Sequence, residues 1–423
     1  MPPPSRRNFL SLLAASTVLP FVGVDTVPRR IKALAPTRSL RIRTITAGVG
    51  LSNPTDLAQV EAAIALLGRA QRIFEADNYE IQTLRIATPP LMAEVDDRAR
   101  EAALPQLQAL DRLAAAHDVR VSIGPVLLAD NPAPHLSAWA AELLRTTKNL
   151  NLTVAVATPE GGIAPRAATV AAQTMVATSG TTPDGLGNFR FAAVANIPPG
   201  TPFFPAAYHQ GPNTLALGLE SASLVELAFA EHGDAPDAST RLKHRLEAAL
   251  APVERIAAAI SRREGLVYLG IDPSPAPGKD RSIGAAIEAL TEVPFGNAST
   301  LDACATVTSA LKSLRVRTCG YAGLMLPVLE DPVLAKRATE GRYGVRDLLL
   351  YSSVCGTGLD VVPIPGDTPV EVVARMILDV AALSAKLHKP LSARLFLIPG
   401  KKAGEVAHFN DPYLTDAAVL SAQ

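Results

Sequence analysis

This 423-residue chain has no charge of one sign to spare: 40 Lys and Arg stand against 40 Asp and Glu. Without a global field, nothing in the composition draws in nucleic acid or an anionic membrane surface, and neither is expected as a partner. Cysteine is scarce too. Cys304, Cys319 and Cys355 form an odd set with no metal-ligand spacing, which excludes a disulfide framework and a zinc ribbon. Aromatic residues make up only 4% of the chain. No Gly-x-x-x-x-Gly-Lys-Ser/Thr run occurs, and no Gly-x-Gly-x-x-Gly follows a strand-like segment, so nucleotide cofactors lose support and the cofactor is left unknown. His209, His408 and Asp411 are available as metal ligands, but no spacing argues for a metal.

What the chain does contain is aliphatic: hydrophobic residues reach 48%, largely Ala, Leu and Val. Short β-like runs such as "LRIRTITAGV" (40–49), "VRVSIGPVLL" (119–128), "CGYAGLMLPVL" (319–329) and "ARLFLIPG" (393–400) alternate with longer segments of helical period. Strands separated by helices predict crossover connections and a parallel or mixed sheet covered on its faces. One α/β domain over residues 38–423 is expected, with "HGDAPDAST" (232–240) as its most plausible internal break. Before it, "SRRNFLSLLAASTVLPFVGV" (5–24) sets an Arg pair ahead of an apolar run interrupted by Pro20 and too short to span a bilayer comfortably. Residues 1–37 therefore read as a twin-arginine-type export signal or leader, predicting a periplasmic or other extracytoplasmic location. An uncleaved N-terminal anchor is the alternative, because Ala33-Leu34-Ala35 is followed by Pro36.

Chemistry in such folds gathers where strands end. "FFPAAYHQG" (203–211) places Tyr208 and His209 after an apolar approach, and "LGLES" ends a run at Glu220. "GIDPSPAPGKDRSIG" (270–284) carries Asp272, then Lys279, Arg281 and Ser282 at a helix start that suits an anion. "PGKKAG" (399–404) adds Lys401 and Lys402. "YSSVCGTGLDVVPIPGDTP" (351–369) combines Cys355, Asp360 and Asp367 with three glycines and three prolines. Each has two readings: Asp272 as an acid or as an Asx-turn, Asp367 as a helix N-terminal signal, and Cys355 as a nucleophile or a small core residue. Gly320 in "RVRTCGYAG" (315–323) reads as a Gly-rich strand start.

Several long motifs occur in one order: "RIRTITAGV", "FFPAAYH", "GIDPSPAP", "SIGAAIEAL", "GYAGLMLPVLED", "LLLYSSVCGTGLDVVPIPGDTP" and "IPGKKAGE". From about Arg41 to Tyr413 the chain resembles the domain of unknown function 711 family, related to uncharacterised protein family 0210. The resemblance implies an α/β barrel of about ten strands with outer helices, similar to that of pyruvate formate-lyase. It implies no reaction, and the export signal departs from the pattern of most members.

These residues point to an exported protein acting on a small polar or anionic compound by carboxylate acid/base chemistry, of the hydrolase or lyase class. Asp272, Asp360, Cys355, His209 and Glu220 are the catalytic candidates, with Tyr208, Lys279, Arg281, Ser282, Lys401 and Lys402 binding substrate. The expectation is that they line one hollow. The alternative is a small-ligand-binding or scaffold protein without catalysis. A homo-oligomer stays open.

Overall fold

The computed structural model describes residues 40–230 and 237–422, so the expected leader and residues 232–236 of the expected break lie outside the described residues. Ten strands join one sheet: β1 (Arg41–Gly48), β2 (Leu84–Ala87), β3 (Val119–Pro125), β4 (Leu150–Thr158), β5 (Gly162–Ile163), β6 (Phe191–Ala195), β7 (Thr214–Glu220), β8 (Val267–Ala276), β9 (Gly358–Pro365) and β10 (Leu391–Ile398). A separate pair, β11 (Val406–Ala407) and β12 (Ala417–Ala418), lies near the C-terminus. The helices are α1 (Leu57–Ala76), α2 (Asp97–Ala116), α3 (Leu136–Thr146), α4 (Pro165–Thr181), α5 (Ala222–Ala230), α6 (Ala238–Glu264), α7 (Ile283–Thr291), α8 (Thr300–Lys312), α9 (Pro332–Thr339), α10 (Val345–Ser352) and α11 (Val370–Leu387). Acidic and hydroxyl residues start many of them: Asp56, Asp96 and Asp237 each accept an amide from the first turn, closing donors that a helix leaves open.

The ladder runs β8-β7-β1-β2-β3-β4-β6-β10-β9, with β5 on β4. Along this path neighbours are parallel except at β1/β7 and β6/β10, where the direction reverses. The sheet is thus mixed and mostly parallel, with helices against it. As a ladder it is open, ending at β8 and β9. Each edge carries one bridge to the segment between them, Ile271 to Thr318 and Pro327 to Asp360.

That segment corrects an expectation: 319–329 is not a regular strand. Its amides at Tyr321 and Ala322 go to the Asp272 carboxylate instead of a neighbouring ladder, and Gly320 and Ala322 sit at positive φ, which breaks extended geometry. α9 and α10 also emerge where no helix was expected, each too short to show much of a helical period.

Alternation decides which layer each side chain enters. In β6, Phe191, Ala193 and Ala195 join the large apolar core against the helices, while Ala192 and Val194 join a smaller inner cluster with Phe203, Tyr321 and Met325. β4 and β10 repeat the rule: Leu152 and Val154 of β4, and Leu391, Ala393, Leu395 and Leu397 of β10, enter the outer core. Each fully buried large aliphatic side chain contributes about 1.5–3 kcal/mol. The same alternation leaves Arg85 (β2), Arg120 (β3), Asn151 (β4), Ser392 and Arg394 (β10) for the inner face, where they line a cavity.

Candidate functional site

The cavity holds about 700 Å³ against the inner face of the sheet. Its walls combine apolar side chains, among them Phe203, Phe204 and Met325, with seven basic residues and three acidic ones, so its charge balance is positive although the chain's is neutral. Such a site favours an anionic guest.

Its acidic centre is Glu330 and Asp360. Glu330 accepts from Arg43 Nη2 and from Arg394 Nη2, each at 2.7 Å. Asp360 accepts from Arg394 Nε at 2.8 Å and lies 2.7 Å from Arg394 Nη2. Two carboxylates therefore share one guanidinium nitrogen. Burial pushes the Asp360 carboxyl above the usual carboxylate range, with Arg394 opposing and Glu330 reinforcing the shift. Tyr321, also in the wall, bonds Ser392 Oγ through its hydroxyl at 3.0 Å.

Backbone irregularities aim these groups. In β9, Asp360 and Val361 form a bulge against Arg394, where the register steps from Ala393–Leu359 to Leu395–Val362. Val361 takes φ of 45°, a left-handed conformation that a β-branched residue avoids, at a point where the bulge re-aims a side chain. A second irregularity at Ile42/Thr44 in β1 places Arg43 out of strict alternation, beside the cavity.

Of the eleven expected site residues, Asp360 lines this cavity and the other ten are not among its lining residues. Glu220 is buried and paired with Arg41 at 3.0 Å, with the cavity residue Arg43 at 3.3 Å and with Arg281 at 3.6 Å. Asp272 is wholly buried and accepts four bonds, from Ser274 N and Oγ and from the amides of Tyr321 and Ala322. It closes an Asx-turn and clamps the 320–322 backbone, and burial raises its pKa. His209 packs over Gly48 and contacts the Gly211 carbonyl through Nε2 at 2.9 Å, with burial lowering its pKa. Tyr208 donates to the Ile197 carbonyl at 3.1 Å.

Cys355 is 1% exposed and belongs to the main apolar core. The glycines around it serve backbone packing. A Cβ on Gly356 would overlap the Gly323 backbone, and one on Gly358 would meet the Ser392 carbonyl. Asp367 is exposed and does not cap α11, whose N-cap is Pro369 without a side-chain bond. The anion expected at the Ser282 helix start is the protein's own: Asp331 accepts from Ser282 Oγ at 2.7 Å and from the Ile283 amide at 2.6 Å. Lys279 donates to the Asp411 carbonyl at 2.9 Å. Lys401 and Lys402 sit in the turn after β10, where the Lys402 amide takes Glu405.

Arg43, Arg85, Arg120, Glu330 and Arg394 were not among the sequence candidates. A signal existed: "RIRT", "LRIA", "VRVS", "FRFA" and "ARLF" each embed an Arg in an apolar β-run. In strands covered on both faces, a buried cation needs a reason.

Comparison with known proteins agrees with the motifs quoted above. The family model described as "Uncharacterised ACR (DUF711)" matches residues 34–410. A UPF0210 protein of Pyrobaculum islandicum is 32% identical over 405 residues, covering 87% of each chain. One of Desulforudis audaxviator is 29% identical over 422 residues, covering 92% of each. A third, of Pyrobaculum aerophilum, is 35% identical over 236 residues, about half of each chain at 51%. With a match of this extent, the chain belongs to the DUF711 family.

Proposed function

We propose that the protein is an enzyme that takes a small anionic compound into the arginine-lined cavity and moves a proton with the Asp360–Glu330 pair, in a hydrolase or lyase reaction. The observation that carries this reading is the sharing of Arg394 Nη2 by both carboxylates inside one cavity. Two acids on one cation are electrostatically coupled, so that protonation of one depends on the state of the other, as acid/base division of labour requires. A second reading, ligand binding without turnover, is favoured by the ion pairs that already engage both carboxylates, Glu330 with Arg43 and Arg394 and Asp360 with Arg394. A compound that copurifies and is returned unchanged supports binding; one that is consumed supports catalysis. With a turned-over substrate in hand, Asp360→Asn is expected to lower kcat by at least about a hundredfold, and wild-type turnover in that variant removes Asp360 from the chemistry.

Two further parts of the reading concern the fold and the location. The bridges at Thr318 and Pro327 support closure of the sheet through segment 318–327 into a barrel with ten staves, similar to that of pyruvate formate-lyase. The Arg6-Arg7 leader supports export. Fractionation of cells expressing the full chain tests the second: recovery only from the cytoplasm, with Arg6→Lys/Arg7→Lys unchanged in distribution, rejects it.

A further inference from the structure

Arg85 differs from Arg43 and Arg394, the two guanidiniums at the acidic centre of the cavity. Arg43 and Arg394 are each held by two carboxylates. Arg85 is only 9% exposed and pairs with no carboxylate among the described residues. Its Nε donates to Thr83 Oγ1 at 3.0 Å, and Thr83 in turn donates to the Arg43 carbonyl at 2.7 Å, which fixes the hydroxyl as an acceptor. One face of the guanidinium lies over the Phe204 ring, 4.9 Å from its centroid. With the face and Nε taken, the Nη1–Nη2 edge has no hydrogen-bond partner among the described residues. Its neighbour across the ladder, Arg120, is a second cation, which adds like charge and itself bonds the neutral Asn149 Oδ1 at 2.7 Å.

A guanidinium keeps its proton at neutral pH, so burying it without a counter-charge costs stability. Burial, with Arg43 close by and Glu330 opposing only in part, pushes Arg85 down to about 9. A chain that keeps this charge dry, oriented from behind and open in front has built half of an ion pair.

We infer that Arg85 is the recognition point for the carboxylate of a small organic acid, received bidentately on the Nη1–Nη2 edge, with the acid's apolar body against the Phe203, Phe204 and Met325 wall. A planar carboxylate matches the fork of two parallel N–H donors, and mostly apolar walls suit a hydrocarbon or aromatic body. This deepens the proposed reading by naming the substrate class, and it rests on that reading only in placing ligand and chemistry in one cavity. Arg85 sits on β2 and Asp360 on β9, at separate points of the ladder, so recognition and proton transfer fall to different residues.

The test uses the full chain, with benzoate and hexanoate as probes, benzamide as the uncharged match to benzoate, and inorganic phosphate as the competing oxyanion. Either acid is expected to raise the unfolding temperature saturably at constant ionic strength, and benzamide is not. Arg85→Met is expected to weaken acid binding at least about tenfold, the loss of a charge-assisted pair. Arg85→Lys, which keeps the charge but not the fork, falls between. Without ligand, Arg85→Met is expected to be at least as stable as wild type, since it removes an unpaired buried charge; a merely structural arginine would show the opposite. Asp360→Asn, which removes a negative charge from the same cavity, should still bind the acid saturably and at least as tightly as wild type, so failure of the catalytic reading and failure of this one give different results. The inference is overturned if neither acid stabilises the protein, if benzamide or phosphate does so equally well, or if Arg85→Met binds like wild type.

Discussion

Replacing Glu330 by Gln tests whether the cavity's charge network is structurally integral. The Glu330 carboxylate offers one oxygen to Arg43 and the other to Arg394, each at 2.7 Å, and all three side chains are less than one-tenth exposed. Gln keeps the shape, and its oxygen still accepts from one guanidinium. Its NH₂ then faces the other, donor against donor. Breaking a buried pair from one side costs about 3–5 kcal/mol, because a charge is left without compensation. Arg43 retains Glu220 at 3.3 Å and Arg394 retains Asp360 at 2.8 Å, which places the expected loss at the low end, about 3 kcal/mol. Urea unfolding at equilibrium reads it, at low and at high salt; a buried network should show the same loss in both, because mobile ions screen it little. Adding Arg43→Met to Glu330→Gln should recover part of the loss, since the orphaned charge goes with it. A Glu330→Gln loss below about 0.5 kcal/mol, or one that vanishes at high salt, would refute the reasoning and mark the network as solvated.

The pH dependence of stability should carry the mark of Asp360. Its folded pKa is raised by burial, so the native state holds this proton to higher pH than the unfolded chain, and stability falls as pH rises from the unfolded carboxylate value, about 3.9, to the folded one. Asp360→Asn should flatten that part of a urea-midpoint profile; an unchanged slope would show the carboxyl unperturbed. Gly356→Ala should cost about 3 kcal/mol or prevent folding, because the new methyl meets the Gly323 backbone; a variant as stable as wild type would contradict this contact. Cys355→Ser should cost about 1–3 kcal/mol by burying a hydroxyl, and the native Cys355 thiol should resist a maleimide until the protein unfolds. Rapid labelling of Cys355 in the native protein would show it open to solvent.

By itself the sequence determined the class and most of the elements, though not α9, α10 or the irregular 319–329 segment. Runs such as "NLTVAVAT" and "ARLFLIPG", separated by helical segments, state a covered, largely parallel sheet, because the periods of strand and helix are local properties of the chain. It also offered an Asx-turn as one of two readings of Asp272 and set Ser282 at a helix start, and the bonds that bear on both are short-range. Tertiary structure alone decided which polar residues meet. Asp360 reaches the cavity through a bulge at Val361, and bulges follow from strand pairing, which no local pattern states. Cys355, five residues earlier, turns into the apolar core, so neighbours in sequence part in space. Arg43, Arg85, Glu330 and Arg394 come from distant segments, and only the folded sheet places them around one space. Whether a buried arginine is neutralised or left open depends on what stands opposite it. For Arg394 that is Asp360 and Glu330; for Arg85 it is a cavity.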